Sequence, residues 1–313
     1  MSSESFSADS AHVPVLYHEV LQYLQPKSGG KYIDGTVGAG GHAAGILQLA
    51  APDGELLGLD LDPDALRLAK EKLAPFGTRA TLQHASYVEI RSCLQAIGWQ
   101  HVDGILVDLG VSSMQLDRSE KGFSFLHDGP LDMRFNPEQE RSAWHILNQS
   151  SQQELALILK KYGELPGAER VASAIVKARP LQSTGDLVRA ILSVQKANPR
   201  KAHPATLVFQ AIRIAVNDEL QAVESFLPEA ITSLKPGGRL AVITFHSLED
   251  RIVKQYFRLE SRDCICPPKQ PICTCGHVAS IKLISKKSIQ ATQEEINGNT
   301  RARSARLRIV EKI

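Results

Sequence analysis

The sequence has no run of about twenty uncharged apolar residues, the length that a membrane-spanning helix needs. Residues Met1 to Ser10 are polar and lack both a basic leader and an apolar stretch, so they read as a disordered tail and not as a signal peptide. Both absences predict a cytoplasmic protein without a membrane partner. An excess of charge of either sign is lacking as well. The 36 Lys and Arg against 34 Asp and Glu leave a formal +2, too little to announce a nucleic-acid binder. Cysteine is limited to five residues in 313, and without a secretory leader disulfides are not the default for them. No internal repeat and no low-complexity tract is evident, which removes the solenoid architectures.

What is there is an ordinary globular composition, 43% hydrophobic and 22% charged, in two patterns. In the first third, Lys31 to Val37, Glu55 to Asp60, Ala80 to Ala85 and Val102 to Leu109 read as buried strands. Between them lie helical stretches: Gly41 to Ala51, the run that starts at Asp62-Pro63, and Val88 to Ile97. Strands separated by helices predict a parallel sheet with right-handed crossovers. From Asp117 to Asn217 no strand stands out. Helical periodicity takes over at Trp144 to Leu147, Glu154 to Tyr162, Ala168 to Ala178, Gly185 to Lys196 and Thr206 to Val216, punctuated by prolines such as Pro130, Pro180 and Pro199. The first pattern then resumes with a helix over Glu219 to Leu234, stopped by Lys235-Pro236-Gly237-Gly238. A strand at Arg239 to Phe245, a helix at Leu248 to Leu259 and two last strands at Ile281 to Ser285 and Ala305 to Val310 complete it. The expected fold class is α/β: a Rossmann-like, mostly parallel core in two parts, residues 1–116 and 219–313, with an inserted all-helical domain at 117–218.

The chemistry concentrates where the first strand meets the first helix, at Asp34-Gly35-Thr36-Val37-Gly38-Ala39-Gly40-Gly41-His42. Glycines there permit a tight turn and bring a ligand against the N-terminus of a helix. Asp60 ends the second strand, where a carboxylate accepts hydrogen bonds from both ribose hydroxyls of a nucleoside cofactor. Glycines and acid together predict such a cofactor, for which NAD and S-adenosyl-L-methionine compete. The run does not match G-x-G-x-x-G, because Gly38-Ala39-Gly40 is followed by Gly41 and His42. An acid opening the run, as in D-G-x-x-G-x-G, looks like the methyltransferase version. Asp34 is equally at home as a carboxylate that stabilises the turn, and both roles stay open. The fourth strand ends in Asp108-Leu109-Gly110-Val111-Ser112-Ser113, which should border the same crevice outside the carboxyl ends of the strands. It keeps the acid common in amino-methyltransferases and lacks the two prolines and the aromatic that usually follow.

Further segments are long and unusual: Gly122-Phe123-Ser124-Phe125, Asp128-Gly129-Pro130-Leu131-Asp132-Met133-Arg134, His203-Pro204-Ala205-Thr206 and Phe245-His246-Ser247-Leu248-Glu249-Asp250-Arg251. With Asp108 to Ser113, and in one order from about His12 to Ile313, they closely resemble the bacterial small-subunit ribosomal RNA methyltransferases of the RsmH (MraW) family. The resemblance implies S-adenosyl-L-methionine as cofactor and N4-methylation of a cytidine in the decoding region of 16S rRNA, within the small ribosomal subunit. Carried over position by position, it implies cofactor contacts at Gly40, Gly41, His42, Asp60, Tyr87, Asp108 and Gln115. Tyr87 would flank the adenine, with a plain core tyrosine as its alternative. Two positions depart from the family's pattern. Leu207-Val208 stands where a basic residue usually follows His203-Pro204-Ala205-Thr206, and Thr300 where proline is usual.

Methyl transfer from a sulfonium is an in-line displacement, so positioning is its main demand. Cytosine's exocyclic amine is a poor nucleophile because its lone pair is delocalised into the ring. Acceptors for its N–H groups would concentrate that lone pair on nitrogen. Asp108, with main-chain carbonyls of Leu109 to Ser113, is the candidate catalytic residue, and a role confined to the cofactor stays open. His246 to Arg251 are expected to line the RNA crevice or to cap the following helix; a hydrolase reading fails because the G-x-S-x-G elbow is absent. The helical insertion and a basic C-terminal segment are candidates for holding RNA. In that segment Lys282, Lys286, Lys287, Arg301, Arg303, Arg306, Arg308 and Lys312 face only Glu294, Glu295 and Glu311, although a solvated basic tail would look the same. Cys264, Cys266, Cys273 and Cys275 form C-x-C-x6-C-x-C. A tetrahedral zinc site and a tight metal-free loop built on Pro267, Pro268 and Pro271 both stand open, and no metal is assigned. No obligate protein partner is evident. The competing classes are a nicotinamide-dependent oxidoreductase and a non-catalytic assembly factor, which should show degraded glycines or a lost Asp60.

Overall fold

The computed structural model describes residues 14–196, 203–267, 270 and 272–313; the stretch Met1 to Ser10 and Pro199, Pro268 and Pro271 lie outside them. A helix, α1 (Tyr17–Leu24), precedes β1 (Lys31–Asp34), α2 (Gly41–Leu49), β2 (Glu55–Asp60), α3 (Pro63–Leu73), β3 (Ala80–His84), α4 (Ile90–Ala96) and β4 (Val102–Asp108). The chain then runs through α5 (Ser113–Asp117), α6 (Ala143–Gln149), α7 (Gln152–Gly163), α8 (Ala168–Lys177), α9 (Thr184–Leu192) and α10 (Ala205–Asn217). It ends with α11 (Glu219–Ser233), β5 (Leu234–Thr244), α12 (Ser247–Glu260), β6 (Ile281–Leu283), α13 (Gln293–Gly298) and β7 (Arg306–Lys312).

The strands make one seven-stranded sheet in the order β3-β2-β1-β4-β5-β7-β6. β1 to β5 are parallel, and β7 is antiparallel to both of its neighbours. Successive side chains of a strand point to opposite faces, so the central strands β1, β2, β4 and β5 feed two cores. Ile33, Leu57, Ile105, Val107 and Val242 pack with Phe226, Leu227, Val253 and Phe257 of α11 and α12. Leu56, Leu106, Ala241 and Ile243 pack with Val20, Leu24, Ile46, Leu47 and Ala69 of α1, α2 and α3. Burial on both faces is why these strands read as continuous apolar runs instead of alternating ones. The core is thus Rossmann-like, as its alternating elements predicted.

β5 departs from the sequence reading. The Pro-Gly segment was expected to separate helix from strand, yet Leu234 already pairs with Val102. The register then shifts so that Arg239 pairs with Gly104, and Lys235 to Gly238 bulge from the ladder with Gly237 at φ +79°. An irregularity inside a strand, and not its absence, is what proline and glycine mark here.

Between β4 and α11 the chain gathers a separate apolar cluster, including Leu147, Leu159, Val171, Ile175, Leu187 and Ile212. The unusual motifs knit it together. Asp128 accepts the Gly185 N–H at the start of α9 (2.8 Å), and Asn217 bridges the Met133 carbonyl and the Phe135 N–H, both at 2.8 Å. Phe125 stacks on His203 with ring centroids 4.9 Å apart, which joins two motifs far apart in sequence. Among the described residues, no helix is long and apolar enough to cross a membrane.

Candidate active site

At the end of β1 the chain turns through Gly38 (φ +53°) and Gly40 (φ +80°), a conformation that L side chains rarely adopt. Gly40 also lets α2 approach α3, since a Cβ there would stand 3.3 Å from Leu73 and 3.4 Å from Ala69. The turn is pinned to both neighbouring strands. Val37 N–H donates to Leu59 O (2.8 Å), Gly35 N–H to Leu106 O (2.9 Å), and Asp108 N–H to Thr36 Oγ1 (2.7 Å). Asp60 accepts the Gly38 N–H on Oδ2 (2.8 Å) and the Asp62 N–H on Oδ1 (2.9 Å). Each carboxylate oxygen has two acceptor sites, so Asp60 keeps one on each oxygen for a ligand's hydroxyls. The first N–H groups of α2, at Gly41 and His42, have no partner within the helix.

The other expected contact residues are placed less simply. The His42 ring stacks on Tyr17 (centroids 6.0 Å), and a Cβ on Gly41 would meet Pro14 at 2.4 Å, so both residues turn their side-chain positions toward the segment before β1. Burial lowers the His42 pKa to about 4, which keeps the ring neutral at pH 7. Tyr87 packs edge-on against Phe226 (5.1 Å), and burial, with Glu219 and Glu249 nearby, pushes its phenol up. Gln115 is occupied at both ends. Its Oε1 accepts the Ser112 N–H (3.0 Å), and its Nε2 donates to Asp62 Oδ2 (3.2 Å), where Lys121 also binds at 2.9 Å. The loop after β4 is thereby tied to the N-cap of α3, immediately beyond Asp60.

A second polar layer lies at the ends of β4 and β5. Arg213 of α10 forms a buried bidentate pair with Glu219 at the start of α11 (2.7 and 2.8 Å). His246 caps α12 through Nδ1, and Glu249 reaches back to accept the Phe245 and His246 N–H groups (2.9 and 3.3 Å). Burial raises Glu249, but the hydrogen bond and charge of His246, then Arg213 and the Phe245 N–H, outweigh it and hold its pKa below the usual range. For Glu219 burial wins over Arg213, and its pKa goes up. The loop between the layers passes through Gly110 at φ +91°, where a Cβ would lie within 4.0 Å of the Arg213 guanidinium and Phe245.

A family model for the MraW methylases matches residues 9–313. The chain belongs to that family. A "Ribosomal RNA small subunit methyltransferase H" of Heliobacterium modesticaldum is 51% identical to it over 308 residues, 96% of this chain and 98% of that protein. Proteins of the same name from Citrifermentans bemidjiense and Nitratidesulfovibrio vulgaris are 50% and 48% identical, each over 310 residues and 97% of this chain, covering 99% and 96% of their own lengths.

The cofactor of this MraW methylase is S-adenosyl-L-methionine, and the acids of the crevice fit it. Asp34, Asp60 and Asp108 end three adjacent strands, in the order β2-β1-β4. Burial pushes Asp34 up to about 7, with the Thr36 N–H pulling down and Asp60 repelling. Burial also raises Asp60, against the N–H groups of Asp62 and Gly38. Asp108 is raised well above the usual range by burial, then by Asp34 and Glu249, and its Oδ1 is buried without a hydrogen-bond partner among the described residues. Crowded carboxylates that no cation among the described residues pulls down favour a ligand that brings positive charge. S-adenosylmethionine brings a sulfonium and an α-ammonium, whereas a nicotinamide dinucleotide would bring an anionic pyrophosphate.

Beside the second layer, α12 and residues 303–306 line a groove of about 440 Å³ whose wall includes Phe245 and His246. Arg251, Lys254, Arg258, Arg303 and Arg306 line it, and the acid in its wall, Asp250, is neutralised by Arg308 at 2.7 and 3.0 Å. The sequence reading missed Arg213 and Glu219 as partners. The available signal was an arginine within the apolar run Val208-Phe209-Gln210-Ala211-Ile212-Arg213-Ile214-Ala215-Val216, because a charge on a buried helix face needs a partner.

Proposed function

We propose that this enzyme methylates the exocyclic N4 of a cytidine in the decoding region of 16S rRNA, acting in the cytoplasm on the small ribosomal subunit. The relatives' shared name and the decoding-region enzymes that the motifs resemble support the substrate. The unpartnered Oδ1 of Asp108, lying between the cofactor acids and the Arg213–Glu219–Glu249 layer, carries the chemistry.

In this reading the main-chain N–H groups of Gly41 and His42 receive the cofactor, and Asp60 holds its ribose. Gly40 shapes the turn, its own N–H held by the Val37 carbonyl (2.8 Å), so that the cofactor lies against its backbone. Tyr87 borders the adenine, and Gln115 keeps the crevice closed over it through Asp62. The bound cofactor supplies an electrophilic methyl group. Asp108 accepts one N–H of the cytidine amine, which concentrates the nitrogen lone pair for attack, and takes the proton that N4 releases as the new N–C bond forms. Carbonyls of the Leu109 to Ser113 loop can accept the second N–H. The target base has to leave its stack to reach Asp108. The helical insertion and the basic groove along α12 hold the RNA on either side, mainly through its phosphates.

Transfer of labelled methyl groups to small subunits, followed by digestion to nucleosides, tests the substrate: the label is expected in N4-methylcytidine, and label in any other nucleoside overturns the assignment. Asp108→Asn tests the mechanism. Turnover at saturating cofactor should fall about 10²-fold or more, the usual scale of a lost general base. Full turnover with weakened cofactor binding would confine Asp108 to the cofactor.

A further inference from the structure

Away from the crevice, the segment between α12 and β6 carries Cys264, Cys266, Cys273 and Cys275, which neither the cofactor nor the methyl transfer uses. We propose that these four cysteines bind one zinc ion as a tetrahedral tetrathiolate clamp. Their sulfur atoms all lie within 4.8 Å of one another. Cys273 Sγ is 3.5 Å from both Cys264 Sγ and Cys275 Sγ and 4.0 Å from Cys266 Sγ, and Cys264 and Cys275 are 3.9 Å apart. Four thiolates at the usual Zn–S length of about 2.3 Å have sulfur–sulfur edges of about 3.8 Å, inside the observed spread. A disulfide needs sulfur atoms about 2.0 Å apart, so none of these pairs is bonded.

Sulfur alone could converge by chance on a surface, but the backbone is arranged around it as well. Ile265 donates its N–H to Cys275 Sγ (3.5 Å), as a deprotonated sulfur held by a metal favours. The base of the loop is closed separately, by Ser280 N–H to Glu260 O (2.9 Å) and Ala279 N–H to Asp263 Oδ1 (3.3 Å). Burial does not order the tip: Ile265, Ile272 and Val278 are 40%, 73% and 73% exposed. The described residues of this loop have neither a helix or strand nor an apolar core, and such a loop needs a staple; a bound zinc ion is one that a reducing compartment permits. The four thiolates carry more negative charge than the ion's two positive ones, and exposure to solvent tolerates that excess.

The test is metal analysis of the full chain purified without chelator and under reducing conditions. One zinc per chain is expected, with four thiols becoming reactive when a chelator or mercurial removes it. Cys264→Ser and Cys273→Ser should lose the zinc, and Cys93→Ser, buried in the core far from the cluster in sequence, should keep it. Should those serine variants fail to fold, cobalt added to the demetallated wild-type chain should give the intense visible spectrum of a tetrahedral cobalt tetrathiolate. Zinc well below one per chain, iron with sulfide in its place, disulfides in the intact mass, or cobalt bound without that spectrum would each overturn the proposal.

Discussion

Two sets of buried acids meet at Asp108, and they are solved in opposite ways. On the proposed cofactor side Asp60 repels Asp34 and Asp34 repels Asp108, and no cation among the described residues pulls the pKa of any of the three down. On the insertion side each acid has a partner within the protein, Glu219 at Arg213 and Glu249 at His246. The difference separates a binding surface from a wall. In the proposed reading, a site for a cationic ligand keeps its acids unpaired, whereas a layer that holds its own shape pairs them.

The largest effect should come from breaking the paired side. Arg213→Leu leaves the Glu219 carboxylate buried and alone, and removing one member of such a pair costs about 3–5 kcal/mol. Urea unfolding should show that loss, and the Arg213→Leu/Glu219→Leu double variant should recover most of it. A single variant as stable as the wild type would mean that the layer does not depend on the pair.

The unpaired side should answer to pH. The raised pKa of Asp34 means that the folded, cofactor-free protein binds a proton that the unfolded chain has released. Its stability contribution therefore declines as pH climbs from the ordinary carboxylate range to about 7. A cationic ligand prefers the ionised acid, so binding expels the proton. Cofactor affinity should be about tenfold weaker at pH 6 than at pH 8, from a single titration near 7. Calorimetry in buffers of different ionisation heat should detect the released proton, and a flat profile would remove Asp34 from the comparison.

Smaller effects belong to the groove. Lys254→Ala with Arg258→Ala should weaken RNA binding and lower the slope of log affinity against log salt by roughly 0.7–0.9 per lost phosphate contact. An unchanged slope would place the RNA elsewhere. Least of all, Arg251→Ala should change stability by no more than about 1 kcal/mol, because its pair with Glu164 is half exposed.

The geometry of the proposed cofactor side was legible in the sequence because its determinants are local: a glycine run at a strand end, an acid twenty residues after Gly40 at the next strand end. The central strands β1, β2, β4 and β5 were legible because burial on both faces writes them as apolar runs. The paired side was not, because Arg213, Glu219 and Glu249 sit on three helices and nothing in linear order says that they meet. Gln115 shows a third situation. Its position in the crevice followed from resemblance, but its bonds to Ser112 and Asp62 came only with coordinates. Proline and glycine misled at Lys235 to Gly238, since a bulge and a break use the same residues.

The placement of β7 bears on when the enzyme can be finished. β7 follows β6 in sequence but lies inside it in the sheet, against β5. During synthesis the outer edge of β5 therefore stays open until residues 306–312 have cleared the exit tunnel. Only then does Arg308 reach Asp250 and Arg306 complete the groove. The proposed cofactor residues, Gly40 to Gln115, leave the tunnel long before β7, yet one face of their strands is fully covered only once α11 and α12 have followed, so the two regions of the crevice are completed by late segments of the chain.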